Sequence, residues 1–214
     1  MTKKMSLPSS RHFRLEQLAK GVYAAFHIDG GWAICNAGIV DLGKQTLMFD
    51  PGLTPQAALD MRAAAVSLTG RVPDYVLNSH YHNDHIRGNQ VFTESVVVST
   101  TLTRELITTL GQAELEADQK NAPKRLEEME AFAKSEDPEK RRIAAFFLPY
   151  WQGILKSLPE IRLRLPELTF KGQLTFHGTK RSAHFIEVGG GHTGNDSVLF
   201  CQRKACYSVG TCCL

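Results

Sequence analysis

The sequence predicts an α/β layered sandwich, and two observations lead to this prediction. Short β-rich segments punctuated by glycine dominate residues 21–50 and again residues 168–200, whereas residues 101–157 are rich in Leu, Glu, Lys and Ala at helical spacing. Strand blocks on both sides of a helical block favour sheets that are covered by helices. The 214 residues, 43% of them hydrophobic, can bury one sizeable core, so a single domain is expected.

The first strand block predicts an antiparallel meander. Its four strands are expected at Val22–Phe26, Trp32–Cys35, Gly38–Val40 and Thr46–Phe49. A turn at Asp50-Pro51-Gly52 would end the last strand. Thr54 then offers an N-cap with Pro55 at the first helical position, so a helix is expected from there to about Leu68.

The rest of the chain predicts two buried strands, a helical block and a second group of strands. The buried strands are Tyr75–Leu77 and Val96–Val98, and helices are expected over Thr101–Ala133 and from Asp137-Pro138 to about Ser157. The second strand group is expected at Leu168–Phe170, Leu174–Phe176, His184–Val188 and Ser197–Phe200.

Four potential metal ligands lie within six residues directly after the predicted strand Tyr75–Leu77. They form the pattern H-x-H-x-D-H and are His80, His82, Asp84 and His85. Imidazole nitrogens and carboxylate oxygens are the usual ligands of zinc and similar ions. Because alternate side chains of extended backbone share a face, His80 and His82 can point at one spot. The pattern therefore predicts a metal site, and the competing interpretation is a polar loop with solvated histidines.

A third histidine, His192, follows a run of glycines and could complete three protein ligands, which leaves a fourth position for water. A metal with an open position lowers the pKa of that water and polarises a carbonyl or phosphoryl group. Asp84 could then orient the water or take its proton, which is its predicted catalytic role. The segment Gly189–Gly194 also fits G-x-G-x-x-G, but a dinucleotide site needs a helix after the glycines, and residues 195–200 predict a turn and a strand.

Several other polar residues have less specific interpretations. Asp50 is either an ordinary acid at a strand end or a buried carboxylate that orients metal ligands, and the sequence leaves both open. The remaining histidines lack comparable spacing and are interpreted as structural or exposed; they are His12, His27, His177 and His184. The stretch Glu114–Glu136 is most simply a solvated amphipathic helix, although helices there could roof a substrate pocket.

Together these motifs resemble the metallo-β-lactamase superfamily over about residues 20–200. The resemblance rests on the H-x-H-x-D-H pattern, on the strand that ends in Asp50 before Gly52, and on Gly-Gly-His-Thr at residues 190–193. It implies a four-layer αβ/βα sandwich with metals held at strand ends. It also implies that His80, His82 and His192 hold one metal, and that Asp84 and His85 begin a second site.

The resemblance implies a metal-dependent hydrolase that acts on an ester, thioester, amide or lactam of a small molecule. The expected cofactor is one or two zinc ions, with iron as the other candidate. His192-Thr193 followed by Asn195-Asp196 is most similar to the class B β-lactamase-like group and its cytoplasmic relatives. Two alternatives stay open: an oxidoreductase similar to the mononuclear iron persulfide dioxygenases, and a non-catalytic metal-binding remnant. A phosphodiester substrate also stays open.

Charge and hydropathy limit the partners. The net charge of +3 comes from 25 basic and 22 acidic residues spread along the chain, which gives no indication of a nucleic-acid partner. The first residues do not have the pattern of a secretory signal peptide, and no stretch is long enough to span a membrane. We therefore expect a cytoplasmic protein with a small-molecule substrate and no membrane partner, and the sequence does not determine its oligomeric state.

The chain departs from the family pattern after Phe200. The resemblance predicts a Gly-Asp whose carboxylate bridges two metals and, later, one more histidine, but residues 201–214 instead contain Cys201, Cys206, Cys212 and Cys213. With permitted codons and one cytosine restored after Phe200, the same nucleotides can encode F-L-P-E-E-G-V-L-F-C-G-D-L-L-F. Our hypothesis is a frameshift that leaves the domain incomplete and its activity compromised; the alternative is a divergent Cys-rich end. The predicted divisions are an N-terminal extension (1–20), a partial domain (21–200) and an aberrant tail (201–214).

Overall fold

The computed structural model describes residues 7–203 and arranges them as two β-sheets and five helices. The first sheet has seven strands whose spatial order equals their chain order: β1 (Phe13–Ala19), β2 (Val22–His27), β3 (Ala37–Asp41), β4 (Thr46–Phe49), β5 (Tyr75–Leu77), β6 (Val96–Thr100) and β7 (Leu168–Phe170). Strands β1 to β4 are antiparallel, and β4 to β7 run parallel to one another. The second sheet is antiparallel, in the order β10 (Asp196–Arg203), β9 (Arg181–Gly189), β8 (Gln173–His177).

The helices of the described range are α1 (Pro55–Thr69), α2 (Asn83–Ile86), α3 (Thr101–Leu106), α4 (Gln112–Ala133) and α5 (Pro138–Ser157). A 3-10 turn (Arg87–Val91) follows α2, and a π-helical turn (Ile107–Gly111) joins α3 to α4. The predicted N-cap of α1 and the predicted start of α5 are confirmed. Thr54 Oγ1 accepts a hydrogen bond from the Ala57 N–H at 3.2 Å, and the Asp137 carboxylate accepts one from the Glu139 N–H at 2.9 Å.

The core of the described residues has three parts: one lies on each face of the first sheet, and a third joins Leu53 to apolar side chains of α4 and α5 and of the residues that follow α5. Helix α1 covers one face, where its small residues and Met61 pack against Ile39, Met48, Val76 and Val97. The second sheet covers the other face, where Phe185 packs edge-on against Phe49 with ring centroids 6.0 Å apart. The predicted α/β sandwich is therefore confirmed, and within residues 7–203 its layers follow the order helix, sheet, sheet.

Two sequence-based expectations differ from the structure. Trp32–Cys35, predicted as a strand, is a loop in which Ile34 adopts a φ of 66°, a left-handed conformation that no regular strand contains. The loop is held beneath the start of α1, because Leu53 N–H donates to Ala33 O at 3.0 Å. Phe13–Ala19 lies within the range assigned to an N-terminal extension, yet it forms β1, pairs with β2 and buries Phe13 and Leu15.

The C-terminal strand extends further than expected. Strand β10 begins at Asp196 and continues through Cys201 to Arg203, so the first residues of the predicted aberrant tail belong to the second sheet. Residues 204–214, on which the frameshift hypothesis depends, lie outside the described residues. Within residues 7–203, no helix has both the length and the apolar character needed to cross a membrane.

Candidate metal centre

Three loops meet at one edge of the sandwich. Strands β4 and β5 are parallel, so the residues that follow them, Asp50 and Asn78–His80, lie at the same edge of the first sheet. The turn between β9 and β10, which contains His192, comes to this edge from the second sheet. The Ser197 N–H donates to Ser79 O at 2.9 Å and so ties the start of β10 to the segment after β5.

The structure brings together three of the predicted metal ligands. His80, His82 and His192 each offer one ring nitrogen, and these three atoms lie within 4.8 Å of one another. His80 is buried, His82 is partly buried and His192 is exposed, so the group opens toward solvent on the His192 side. Three imidazoles around one point, with one side open, match the ligand set of catalytic zinc sites.

The surroundings of His80 favour the neutral form of its ring, which is the form that binds a metal. Burial, followed by the nearby charge of His85, lowers the pKa of His80 to about 4, so its ring is neutral at physiological pH. His80 Nδ1 lies 2.9 Å from Ser79 Oγ, whereas the buried Nε2 has no hydrogen-bond partner among residues 7–203. If the ring donates its Nδ1 proton to Ser79 Oγ, the lone pair of Nε2 is free to bind a metal. Coordination would then give this buried nitrogen a partner, and burying a polar atom without one costs free energy.

His82 and His192 form the more open part of the group. His82 Nδ1 lies 3.1 Å from His192 Nε2. Burial and the proximity of His192 lower the pKa of His82, which again favours the neutral ring that a metal requires.

The loop that carries His192 is organised by Asp196. The Asp196 carboxylate accepts hydrogen bonds from the His192 N–H at 2.6 Å and from the Thr193 hydroxyl at 2.6 Å. Next to it, the buried Asn195 accepts a hydrogen bond from Thr100 Oγ1 at 2.8 Å, which attaches this loop to the end of β6. The sequence pattern places Asn195-Asp196 in a turn and relates these residues to the class B β-lactamase-like group, but that relation by itself does not indicate this role. Their position after a histidine in a glycine-rich turn could have indicated this role, because Asp commonly bonds nearby backbone N–H groups in turns.

We expect Asp196→Ala to weaken zinc binding about 10-fold, because losing a group that positions a ligand typically costs 10- to 100-fold in affinity. The measurement is a zinc dissociation constant obtained by competition with a chromophoric chelator. Asp29→Ala, at an exposed position, is the matched control and should leave the constant unchanged. Equal affinity in Asp196→Ala and the control would show that the loop holds His192 without this carboxylate.

Asp50 contacts residues 79–88, which we call the metal loop, and this contact decides between the two interpretations of Asp50. One oxygen accepts a hydrogen bond from the Ser79 N–H at 2.8 Å, and the other lies 2.9 Å from His85 Nδ1. Asp50 is buried and adopts a φ of 51°, a conformation that a non-glycine residue keeps only when its surroundings hold it there. Asp50 therefore orients the segment that carries the candidate ligands.

Asp84 and His85 lie beside the three-histidine group. His85 Nε2 is 3.3 Å from Asp84 Oδ2, so the two nitrogens of His85 face the carboxylates of Asp50 and Asp84. Burial lowers the pKa of His85, but Asp50 and Asp84 outweigh it and raise the pKa to about 10. Burial raises the pKa of Asp84, and the hydrogen bond from His85 reverses this, so the net shift is downward. A part for Asp84 and His85 in a second metal site stays a prediction.

A buried ion pair connects the metal loop to the helices above it. Arg87 is 0% exposed, and its Nη2 lies 2.6 Å from Asp118 Oδ2 on α4. Tyr150 on α5 lies close by: burial and then the charge of Asp118 raise its pKa to about 12. The sequence gives no signal for this pair, because Arg87 and Asp118 are 31 residues apart and neither belongs to a recognisable motif. Their contact shows that α4 packs against Arg87; a role for the Glu114–Glu136 region as the roof of a substrate pocket stays a prediction.

A cleft of about 510 Å³ lies beside His85, and Cys35, Asp50 and Ser197 are among its lining residues. Its volume lies in the range of small-molecule sites. Burial, followed by the charge of Asp50, raises the pKa of the Cys35 thiol well above its usual value. Cys35 is therefore a protonated, unreactive thiol at neutral pH, which argues against nucleophilic catalysis by this residue.

Comparisons with known proteins identify a family and similar folds. A family model described as the metallo-beta-lactamase superfamily matches residues 30–208. Among solved structures, 176 chains match. One is a metallo-beta-lactamase from Pontibacter korlensis, with a TM-score of 0.55 and 13% identity, covering 88% of this chain and 66% of that chain. Another, a metallo beta lactamase from Hirschia baltica, has a TM-score of 0.55 and 12% identity, with the same coverage of 88% and 66%.

The chain thus spans slightly less than two thirds of the length of these two structures. At such low identity the similarity to them shows the fold alone. A comparison with curated proteins found no match.

Proposed function

Because the chain belongs to the metallo-β-lactamase superfamily, we propose that it is a metal-dependent hydrolase of a small-molecule ester, thioester, amide or lactam. The observation that carries this proposal is the group formed by His80, His82 and His192, whose nitrogens lie within 4.8 Å of one another. The unpartnered, buried Nε2 of His80 supports it further, because a metal would satisfy this atom.

The ligand set favours zinc over iron. Zinc in hydrolytic sites is commonly held by three protein ligands, three histidines among them, with a fourth position for water. Non-haem iron oxygenases usually use two histidines and one carboxylate, and no carboxylate belongs to the group that residues 7–203 form. The chemistry that zinc supplies at such a site is a lowered pKa of bound water and polarisation of the substrate carbonyl.

Asp84 is the proposed proton acceptor. Its net downward pKa shift keeps the carboxylate ionised at neutral pH, so it can take a proton from an attacking water. His85, 3.3 Å from Asp84, and the Asp50 carboxylate on the far side of His85 hold it in place. The cleft beside His85 has a volume of about 510 Å³, which suits a small-molecule ligand, and its lining includes Asp50, Ser79 and His85 rather than the three-histidine group.

Two other functions are compatible with the same three histidines. A mononuclear iron oxidoreductase similar to persulfide dioxygenases would hold one iron with ligands similar to these. A non-catalytic metal-binding remnant would hold the metal without turning over any substrate. Neither has a specific observation in its favour beyond this shared group, so we rank both below the hydrolase.

The test is metal content of the purified protein by elemental analysis, followed by turnover of a panel of chromogenic esters, thioesters and lactams. We expect about one zinc per chain, because three histidines with an open position form one site. Hydrolysis should cease after chelation and return on addition of zinc. Iron in place of zinc would support the oxidoreductase, zinc without turnover would support the remnant, and absence of any metal would overturn the site.

A further inference from the structure

A reciprocal pair of buried amides joins the two ends of the segment that carries the candidate ligands. This segment is the metal loop, residues 79–88; Asn78 directly precedes it and Asn89 directly follows it. Both asparagines are 0% exposed. Asn78 Nδ2 donates to Asn89 Oδ1 at 2.9 Å, and Asn89 Nδ2 donates to Asn78 Oδ1 at 2.9 Å.

The remaining amide protons are also used. Asn78 Nδ2 donates to His85 O at 2.9 Å, within the metal loop, and Asn89 Nδ2 donates to Arg164 O at 3.2 Å. Each amide group therefore donates twice and accepts at least once. Flipping either amide would direct its oxygen toward a backbone carbonyl, so these outer contacts define the orientation of the pair.

Only an amide can occupy both positions of this arrangement. A self-complementary pair needs a donor and an acceptor on each side chain, and among side chains of this size only asparagine has both in fixed geometry. An aspartate would replace the donating NH₂ by an oxygen. That oxygen would then face the partner's carbonyl and a backbone carbonyl in a buried site, where an unpaired charge is costly.

Other contacts hold the same ends of the loop. The Ser79 N–H donates to Asp50, and the Gly88 N–H donates to Gly52 O at 2.9 Å. A Cβ at Gly88 would lie 2.4 Å from Pro51 O, so only glycine allows this close approach. The amide pair adds a direct side-chain link between the residues that flank the loop, and Asn78 also reaches the carbonyl of His85 within it.

We propose that Asn78 and Asn89 are positioning residues that pre-organise the metal loop, so that His80 and His82 meet a metal at the spacing its coordination requires. The inference rests on the proposed metal site and extends it to residues that do not touch the metal. Pre-organised ligands bind more tightly because the ordering of the loop is completed during folding rather than at the moment of binding.

The experiment compares wild-type protein, Asn89→Asp and the double variant Asn78→Leu/Asn89→Leu, with Asn121→Asp on the exposed face of α4 as control. The zinc dissociation constant is measured by chelator competition on protein whose fold is verified by far-ultraviolet circular dichroism. The absorption spectrum of the cobalt-substituted protein reports the coordination geometry. Urea unfolding of the metal-free forms measures stability separately.

We expect zinc affinity to fall about 10-fold or more in folded Asn89→Asp, with an altered cobalt spectrum, while Asn121→Asp matches wild type. If Asn89→Asp does not fold, the double variant gives the answer, since replacing both partners with apolar groups of similar size removes the buried charge and the side-chain oxygens that would face each other. A folded variant with wild-type affinity and spectrum, destabilised only toward urea, would overturn the inference. Absence of zinc binding in wild type would instead overturn the proposed function.

Discussion

Replacing His80 with alanine is expected to lower zinc affinity by more than about 100-fold, beyond the 10- to 100-fold that loss of a supporting group costs. His80 is the buried member of the three-histidine group, and its Nε2 lacks a partner in the described chain. Zinc at a concentration 100 times its dissociation constant should stabilise wild-type protein by about 2.7 kcal/mol, since only the folded state binds it. The variant should gain almost nothing under the same conditions.

The measurement is urea unfolding with and without zinc, beside chelator competition. His177→Ala is the matched control, because His177 is exposed on β8 and takes no part in the group. Zinc should stabilise the control as it does wild type. If zinc stabilised His80→Ala equally, the ion would be bound elsewhere, and the assignment of the site would be wrong.

Replacing Asp118 with alanine is expected to destabilise the protein by about 3 to 5 kcal/mol, because it leaves a buried charge without its partner. Arg87 is 0% exposed, and its Nε and Nη1 already lack hydrogen-bond partners within residues 7–203. Asp118, whose side chain is 15% exposed, is the carboxylate that contacts Arg87 at 2.6 Å. Since a typical domain has only about 5 to 15 kcal/mol of stability, this single change could unfold much of the population.

Urea unfolding of the metal-free protein measures this effect. Glu128→Ala is the control on the same helix: Glu128 pairs with Arg125 at 3.0 Å, but the two side chains are 40% and 55% exposed, so loss of this pair should cost at most about 0.5 kcal/mol. The double variant Arg87→Met/Asp118→Leu should regain most of the lost stability, because it removes the charge together with its partner. A small effect in Asp118→Ala would mean that water reaches Arg87 and solvates it.

Local patterns predicted much of the fold. The N-caps Thr54 and Asp137, each followed by proline, marked the starts of α1 and α5, because a cap acts on N–H groups only two or three residues away. The strands Thr46–Phe49 and Tyr75–Leu77 were predicted with their observed bounds, since continuous apolar runs are typical of buried strands. The loop at Trp32–Cys35 was mistaken for a strand because its apolar residues are buried by a loop packed beneath α1.

The candidate site was predictable to the extent that it is local. His80 and His82 are two residues apart, so the sequence alone indicated that they share a face. The contacts of Asp50 with Ser79 and His85, the closure of the metal loop by Asn78 and Asn89, and the ion pair from Arg87 to Asp118 could not be predicted this way. Asn78, Asn89, Arg87 and Asp118 are ordinary polar residues in the sequence, and only their burial makes them informative.

By itself, the sequence determined the type of fold, the family resemblance and the ligand-rich segment from His80 to His85, because periodicity, caps and motif spacing act over a few residues. Only the tertiary structure decided which groups meet. His192 comes within 3.1 Å of His82 although 110 residues separate them, and Asp50 reaches His85 across 35. Such contacts depend on how the two sheets and the helices pack, and packing is a property of the whole core rather than of any short segment.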